Sequence, residues 1–446
     1  MARMTDTQLR SQVLYSVFVR NHSARGDFEG VRQDLPRIRQ LGADIIWLMP
    51  VHPVGNVRRK GTEGSPYAIS DYRAVNPAYG TEEDLRRLAA DCHAAGMRCI
   101  IEVVYNHTSP DSVLAKEHPE WFWRRPDGSM GNRIGDWTDI TDLDYGCREL
   151  WDYQADTLCR WAGIVDGFRC DVASLIPLEF WKYAREKVSR VNPDCLWLAE
   201  SVEPSFVRDV RAAGYGCLSD GELYQVFDIC YEYDSYPMMT DYLENRCTLG
   251  DYARMLNLQE SIYPENYVKL RFLENHDRPR AAALLPDPLV RKNWTAFLFF
   301  QKGLPMLYAG QEYGIAHLPA LFERDPLPER PGLRPLTPGE EPPPDSREAC
   351  AEAAYIRRLC SLHRRPELTD SRYEVRALPG DILLAEHKRR QGRLLGIFRL
   401  KGGTKAAEIS LPAPDGCYEN LTDGSAAEVR QGVLVLKEKP VIIKVS

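Results

Sequence analysis

Four apolar segments of the sequence each end in side chains that can carry chemistry. Carboxylates and imidazoles serve in proton transfer and nucleophilic catalysis. One polar residue after a strand is often a cap, whereas four such ends that meet on one rim are hard to explain by packing. The pattern therefore predicts an active site at the place where these segments end. The residues are Asn106-His107, Arg169 with Asp171, Glu200, and His276-Asp277.

Arg169 stands two residues before Asp171 in the same apolar segment. Side chains two positions apart on a strand point to the same face, so the guanidinium is expected beside the carboxylate. A positive charge at that distance favours the ionised carboxylate. A structural ion pair is the alternative explanation of these two residues taken alone.

The same segments resemble the signature sequences of the α-amylase clan of retaining glycoside hydrolases. The resemblance covers nearly the whole chain, and it implies a (β/α)8 barrel and action on α-glucans. The matching stretches are Val103 to His107, Asp142 to Asp144, Gly167 to Ala173, Glu200 with the strand before it, and Phe272 to Asp277; Gly64 to Tyr67 and Gly303 to Gly310 are similar as well.

The resemblance assigns catalytic roles to three acids. Retaining hydrolysis needs a carboxylate nucleophile and a second carboxyl that first donates and then accepts a proton. By resemblance, Asp171 is the nucleophile and Glu200 is the acid/base. Asp277 holds sugar hydroxyls and helps to distort the ring towards the transition state.

Four further residues are predicted to bind substrate or to position the acids. By the same resemblance, Arg169 keeps Asp171 ionised and aimed. His107 and His276 are neutral donors for hydroxyls of the reacting sugar. Tyr67 offers its ring for stacking on that sugar.

The elements that must position these residues alternate between strand and helix over the first 310 residues. Apolar residues at helical spacing predict helices, as in Phe28 to Leu41 before Gly42. Eight strand–helix units in a row predict a closed parallel TIM barrel, with an open doubly wound sheet as the alternative. The predicted strands cover residues 14–19, 44–49, 99–105, 164–170, 195–199, 225–229, 268–273 and 305–309.

Two segments depart from this alternation. Residues 106–145, after the third strand, are rich in Pro, Gly, Asp and Trp, which is typical of a small functional insertion. The last 80 residues or so carry short strands separated by Gly, Pro and Asp turns. We therefore predict a barrel made of residues 1–105 and 146–366, an inserted loop domain over 106–145, and an antiparallel β-sandwich over 367–446.

The composition excludes a disordered chain, a collagen and a coiled coil. The 446 residues are 44% hydrophobic and 27% charged, which describes a globular chain with a full core. A net charge of −7 and the absence of a basic tract argue against nucleic acid or an anionic membrane as the partner. The sequence has no stretch of 18 apolar residues, so no membrane span is predicted. The oligomeric state stays open.

The cysteines bear on redox chemistry and location. Twelve are scattered along the chain without a CxxC pair, which argues against metal knuckles and thioredoxin-like sites. Free thiols in apolar segments, together with no export signal at the N-terminus, predict a cytoplasmic protein. An extracellular protein whose leader has been removed is the alternative.

Two departures from the family pattern concern the site. Glu102 stands where the first signature usually has Asp, which adds a methylene to a buried hydrogen-bond network. The calcium site of many members uses an Asn, an Asp and a His; Asn106 and Asp142 match, but Leu175 stands in the His position. Since Ca²⁺ takes six or more oxygen ligands, we expect no required metal or other cofactor. Bound calcium is the alternative.

The predicted function is hydrolysis of α-1,4-glucosidic bonds in starch-derived maltooligosaccharides by double displacement. The nearer alternative is an α-glucosidase for α-1,4 or α-1,6 bonds, or a transglycosylase of the same clan; Val172 fits some α-1,6-specific members. A catalytically inactive accessory protein is more distant, because all three acids are present. Bond preference and chain length stay open at this point.

Overall fold

Eight parallel strands close into a barrel. The structure, a computed structural model, describes residues 5–135, 137–328, 347–390 and 392–445. Each barrel strand pairs with its neighbour in the chain, and β1 closes the barrel on β8. The strand residues other than Arg98 are buried, as expected of apolar strands covered by helices. The strands are β1 Leu14–Val17, β2 Ile45–Leu48, β3 Arg98–Val103, β4 Gly167–Cys170, β5 Leu196–Ala199, β6 Ile229–Tyr231, β7 Val268–Arg271 and β8 Leu304–Tyr308.

The sixth strand is a correction to the sequence analysis. The prediction placed it at residues 225–229, but β6 is Ile229–Tyr231. Phe227 is buried for a different reason, because its ring packs edge-on against Trp181 and Trp197 at centroid distances of 5.2 and 6.1 Å. The apolar run therefore marks a contact with the surrounding core, and the strand begins only after it.

Helices of eight or more residues cover the barrel, and their ends follow from local sequence. Asp27 caps the first by accepting a hydrogen bond from the Gly30 N–H at 2.8 Å, and Gly42 ends it with φ +117°. These helices are α1 Phe28–Leu41, α2 Glu82–Ala94, α3 Arg148–Ala162, α4 Leu178–Ser189, α5 Pro204–Ala212, α6 Tyr236–Leu243, α7 Leu249–Ile262, α8 Pro288–Phe300 and α9 Arg347–His363.

The insertion after β3 is closed at its base by a short ribbon. His107–Thr108 pairs antiparallel with Thr141–Asp142. The Leu143 N–H adds a hydrogen bond to the Asn106 carbonyl at 2.9 Å. The two ends of the insertion are thus tied together directly beside the carboxyl end of β3.

Two four-stranded antiparallel sheets follow the barrel. Their apolar side chains form one shared buried cluster, so the sheets make a sandwich. The predicted fold class is confirmed, whereas the predicted domain boundaries stay predictions. One sheet has the order β9-β10-β11-β16 and the other β12-β15-β14-β13. The strands are β9 Arg372–Leu378, β10 Ile382–Arg389, β11 Gly392–Arg399, β12 Ala407–Ser410, β13 Gly416–Glu419, β14 Ala426–Arg430, β15 Val433–Leu436 and β16 Val441–Val445.

Hydrogen bonds of α8 join the sandwich to the barrel. The Trp294 indole N–H donates to the Leu400 carbonyl at 2.9 Å, and the His387 Nε2 lies 2.7 Å from the Phe300 carbonyl. Within the described part of the chain, no helix combines the length and the apolar character that a membrane crossing requires.

Candidate active site

One buried guanidinium contacts three carboxylates at the carboxyl ends of the barrel strands. Arg169 Nη1 lies 2.8 Å from Asp171 Oδ1 and also contacts Glu102 Oε1, while Nη2 lies 2.9 Å from Glu200 Oε1. Glu102 reaches it because β3 and β4 pair these two residues directly across the strands. The predicted pairing of Arg169 with Asp171 is present, and the structure adds two further carboxylates to the same charge.

Two aromatic rings fix the guanidinium in place. Arg169 lies against the faces of Trp47 and Tyr231, at 5.2 and 5.3 Å from the ring centroids. Both rings and the arginine are fully buried. Stacking of this kind suits the planar guanidinium and would be lost with a lysine.

Burial and charge set the protonation of the two acids assigned to catalysis. Burial raises the pKa of Glu200 to about 7; Arg169 opposes the rise, and the charges of Asp171 and Asp277 add to it. The pKa of Asp171 is also raised by burial, although Arg169 lowers it as the sequence analysis expected. A carboxyl that titrates near neutral pH can donate a proton and later accept one.

The turn after Asp171 connects the two acids. The Val172 backbone N–H donates a hydrogen bond to Glu200 Oε2 at 2.7 Å. Val172 adopts a left-handed conformation with φ +34°, which is rare for a β-branched residue. Strain of this kind persists only where the surrounding structure imposes it. Here it directs the N–H towards the carboxyl of the next strand.

Tyr67, His276 and Asp277 form a second group at the same rim. His276 Nε2 lies 2.6 Å from the Tyr67 hydroxyl and 2.9 Å from Asp277 Oδ2, so this nitrogen links the two. The Tyr67 ring also stacks on His276, at 5.7 Å between centroids. One face of the Tyr67 ring is therefore covered by protein.

Asp277 differs from the other acids in its exposure. Its side chain is 43% exposed, whereas those of Asp171 and Glu200 are 8% and 10% exposed. Burial pushes its pKa upwards, but His276 and the nearby arginines hold it at about 2. Asp277 is thus a carboxylate acceptor at neutral pH, open to a ligand.

His107 lies in the ribbon at the base of the insertion. It is 5% exposed, and burial lowers its pKa to about 4, so the ring is neutral at pH 7. The Asn106 amide donates to Nδ1 at 3.2 Å, which leaves Nε2 to carry the hydrogen and to act as a donor. The ring of Trp137 lies 5.9 Å away.

Models of two known domain families match most of this chain. The alpha amylase catalytic domain matches residues 12–126 and 134–330, and the bacterial alpha amylase C-terminal domain matches residues 374–443. The chain belongs to the alpha-amylase family. The predicted family is thereby confirmed.

Solved structures in this amylase family extend over the whole chain. An alpha-amylase from Lactobacillus plantarum is 43% identical, covers 99% of this chain and 100% of its own, and has a TM-score of 0.91. A noncanonic maltogenic alpha-amylase from Thermotoga neapolitana is 30% identical, covers 98% and 99% of the two chains, and has a TM-score of 0.83.

Curated relatives include transferases. An alpha-1,4-glucan:maltose-1-phosphate maltosyltransferase from Cereibacter sphaeroides is 32% identical over 213 residues, which is 43% of this chain and 36% of that protein. The matches to the first such relatives span about a third of their length. The family therefore fixes the fold and an enzyme of glycoside hydrolase or transferase type.

The sequence analysis missed an ion pair beside the amylase-family acids. Arg278 Nη2 lies 2.8 Å from Glu203 Oε1, and its guanidinium lies over the rings of Tyr233 and Tyr236 at 4.8 and 5.2 Å. Tyr233 also accepts a hydrogen bond from the Asn275 amide at 2.9 Å. A signal was available, because Arg278 directly follows Asp277 and Glu203 comes three residues after Glu200.

The residues that match the family's calcium site do not fit a calcium ion. Asp142 is already engaged by Arg133, whose backbone N–H donates to Oδ2 at 2.8 Å. Leu175 lines the same small cavity and offers no side-chain ligand. Among the described residues, no group of three or more His, Cys, Asp or Glu side chains is arranged to hold a metal ion.

Proposed function

We propose that this chain hydrolyses α-1,4-glucosidic bonds in maltooligosaccharides with retention of configuration. The observation that carries the proposal is the contact of one buried guanidinium with both Asp171 and Glu200. Two carboxyls held on two nitrogens of one arginine are compatible with the roughly 5–5.5 Å spacing of a retaining pair. The family assignment supports an α-glucan as substrate.

The first step of the proposed reaction forms a covalent intermediate. Asp171 attacks the anomeric carbon while Glu200 gives its proton to the glycosidic oxygen, and the shortened glucan leaves as an alcohol. In the second step Glu200 takes a proton from water, and the resulting hydroxide replaces Asp171 at the anomeric carbon. Both carboxyls return to their starting protonation states.

The charges of the site support this change of role for Glu200. The negative charge of Asp171 is one of the causes that raise the pKa of Glu200. Esterification removes that charge, so the pKa of Glu200 falls in the intermediate. Glu200 is then a carboxylate and can act as a base.

The remaining residues of the site position the sugar. Asp277 is ionised and partly exposed, so it can accept hydrogen bonds from two hydroxyls of the reacting ring. His107 donates from Nε2 as a neutral imidazole. His276 holds the Tyr67 hydroxyl and the Asp277 carboxylate in place through its Nε2. The buried guanidinium of Arg169 is covered by the rings of Trp47 and Tyr231 and is closed to substrate. Arg169 therefore acts through Asp171 and Glu200.

Rescue of the variants by azide tests the two catalytic assignments. In Glu200→Ala, an activated α-glucosyl fluoride still forms the intermediate on Asp171, and azide should attack it to give the α-glycosyl azide by two inversions. In Asp171→Gly, azide replaces the nucleophile and gives the β anomer by one inversion. Glu203→Ala is the matched control, since its turnover is expected to be independent of azide. The same anomer from both catalytic variants would overturn the assignment.

A second candidate function is glycosyl transfer. It is favoured by the identity of 32% to a maltosyltransferase over 213 residues, and by chemistry, because a sugar hydroxyl can take the place of water at the intermediate. Maltoheptaose alone, and maltose-1-phosphate with maltohexaose, separate the two functions. A hydrolase gives shorter products from the first and little phosphate from the second. Release of phosphate with elongated chains would identify a transferase.

Bond preference is tested in the same assay. Soluble starch, maltotriose, isomaltose and sucrose are compared side by side with the purified chain. Accumulation of maltose and maltotriose from starch is expected. Glucose released only from isomaltose would replace the proposal by an α-1,6-glucosidase.

A further inference from the structure

We propose that the Arg133 guanidinium serves as the cation at the base of the insertion, in the position where other family members use calcium. The feature lies at the paired ends of residues 106–145, outside the carboxylate cluster of Arg169. The inference concerns how this segment is held and is independent of the proposed reaction.

Arg133 joins both ends of the insertion. Its backbone N–H donates to Asp142 Oδ2 at 2.8 Å, and its Nε lies 3.5 Å from the same oxygen. Its Nη2 donates to the carbonyl of Leu143, whose N–H is in turn bound to the Asn106 carbonyl. Arg133 therefore ties its own loop directly to Asp142 and Leu143, and Leu143 carries the link on to the strand end at Asn106.

The described lining beside Arg133 offers few side-chain ligands for a calcium ion. The cavity beside Arg133 measures about 10 Å³, close to the smallest volume that holds one water. Of the described residues that line it, Asn106 and Asp142 are the ones with an amide or a carboxylate side chain. Ca²⁺ takes six to eight oxygens at about 2.3–2.6 Å, and these two side chains supply only a minority of them.

Charge leads to the same conclusion. Among the described residues, Asp142 is the only carboxylate that lines this cavity, and its side chain is 4% exposed. The pair of Arg133 and Asp142 is neutral overall, so a divalent ion added here would meet a guanidinium and one carboxylate oxygen, Oδ1, that is still without a partner.

Two departures from the family coincide at this cavity. Leu175 removes the expected His position, and it lines the cavity together with Arg133. Arg133 itself belongs to residues 127–133, which lie between the two stretches that match the family's catalytic domain. The loss of a ligand and the arrival of a cationic side chain are thus found on two separate segments that meet at one point.

Thermal unfolding with and without calcium tests the proposal. The unfolding midpoint of the unaltered chain is expected to be the same in EDTA and in millimolar CaCl₂. Arg133→Met, which keeps much of the side-chain volume without the charge, is expected to lower the midpoint by about 3 °C, and Arg133→Lys by less. Arg125→Ala is the control, because Arg125 is an exposed arginine of the same insertion.

A gain of calcium binding completes the test. Arg133→Ala combined with Leu175→His frees the space beside Asp142 and Asn106 and restores the missing ligand position, so calcium is expected to raise the midpoint of this double variant while leaving the unaltered chain and Arg125→Ala unchanged. A calcium-dependent midpoint in the unaltered chain would overturn the proposal. Equal midpoints for Arg133→Met and Arg133→Lys would do so as well, because the charge would then be irrelevant. A double variant Arg133→Ala with Leu175→His whose midpoint ignores calcium would also overturn it.

Discussion

Two arginines that face buried carboxylates differ in the number of acids each one meets. Arg169 meets three, and the pKa of Glu200 beside it rises to about 7. Among the described residues, Arg133 pairs with Asp142 alone; burial raises the pKa of that acid too, but no second described carboxylate adds to the rise. The ratio of acids to cations thus distinguishes a cluster that titrates near neutral pH from a pair that holds a segment.

The largest expected effect comes from removing the shared cation. Arg169→Ala leaves Glu102, Asp171 and Glu200 without a counter-charge, so kcat/KM on maltoheptaose is expected to fall at least ~100-fold, or about 2.7 kcal/mol in the barrier. Arg133→Met, assayed well below its unfolding midpoint, is expected to lose far less activity. Circular dichroism confirms folding. Near-normal kinetics in folded Arg169→Ala would make that residue a structural ion pair like Arg133.

The second prediction concerns pH. Glu200 must be protonated in the first step, and burial raises its pKa to about 7. Activity is therefore kept below pH 7, and kcat/KM is expected to fall about tenfold per unit above it. The profile of Glu200→Gln on an activated aryl glucoside lacks this limb. An alkaline limb that begins near pH 5 would show that crowding of the acids does not raise this pKa.

Tyr67→Phe tests the rim beside the cluster and is expected to have a smaller effect. The substitution keeps the ring on His276 but removes the hydroxyl that lies 2.6 Å from Nε2. The loss of one such hydrogen bond is worth about 1 kcal/mol, so kcat/KM should fall roughly 5- to 10-fold. Tyr183→Phe, whose hydroxyl contacts Asp152 outside the site, is the control. If both variants behaved alike, Tyr67 would contribute through packing only.

The smallest expected effect is at Val172. Glycine relieves the left-handed strain but loosens the N–H that holds Glu200, so kcat is expected to fall a few-fold while the unfolding midpoint stays equal or rises. Kinetics and thermal unfolding are measured on the same sample. A midpoint that drops by several degrees would show that Val172 is needed for packing rather than for the orientation of Glu200.

Much of the barrel could be predicted because a buried parallel strand leaves a continuous apolar run. Ile45–Leu48 lies inside the predicted 44–49, for example. The prediction of the sixth strand was wrong because Phe227 packs against α4 and β5 without being part of the strand. An apolar run does not reveal which neighbouring element buries it. Periodicity predicts a face, whereas the identity of the partner depends on packing between distant segments.

The same limit applies to the candidate site. The two-residue spacing of Arg169 and Asp171 predicted their contact, because both lie on one segment. The contacts of Arg169 with Glu102 and Glu200 depend on the register of neighbouring strands, which the spacing does not contain. Arg133 lies in an insertion without periodicity, so its approach to Asp142 left no signal in the sequence. The catalytic roles themselves stay predictions until the variants are measured.

The cation at the base of the insertion is a side chain of the protein itself, and this has a consequence for the stability of the fold. A bound ion stabilises a fold by an amount that grows with the logarithm of its free concentration over its dissociation constant, and this contribution vanishes on dilution. A guanidinium within the chain is present in a ratio of one to one and has no dissociation equilibrium. The stability of the base of the insertion therefore does not depend on the concentration of the protein or of an ion. It can be changed by mutation but not by adding or removing an ion.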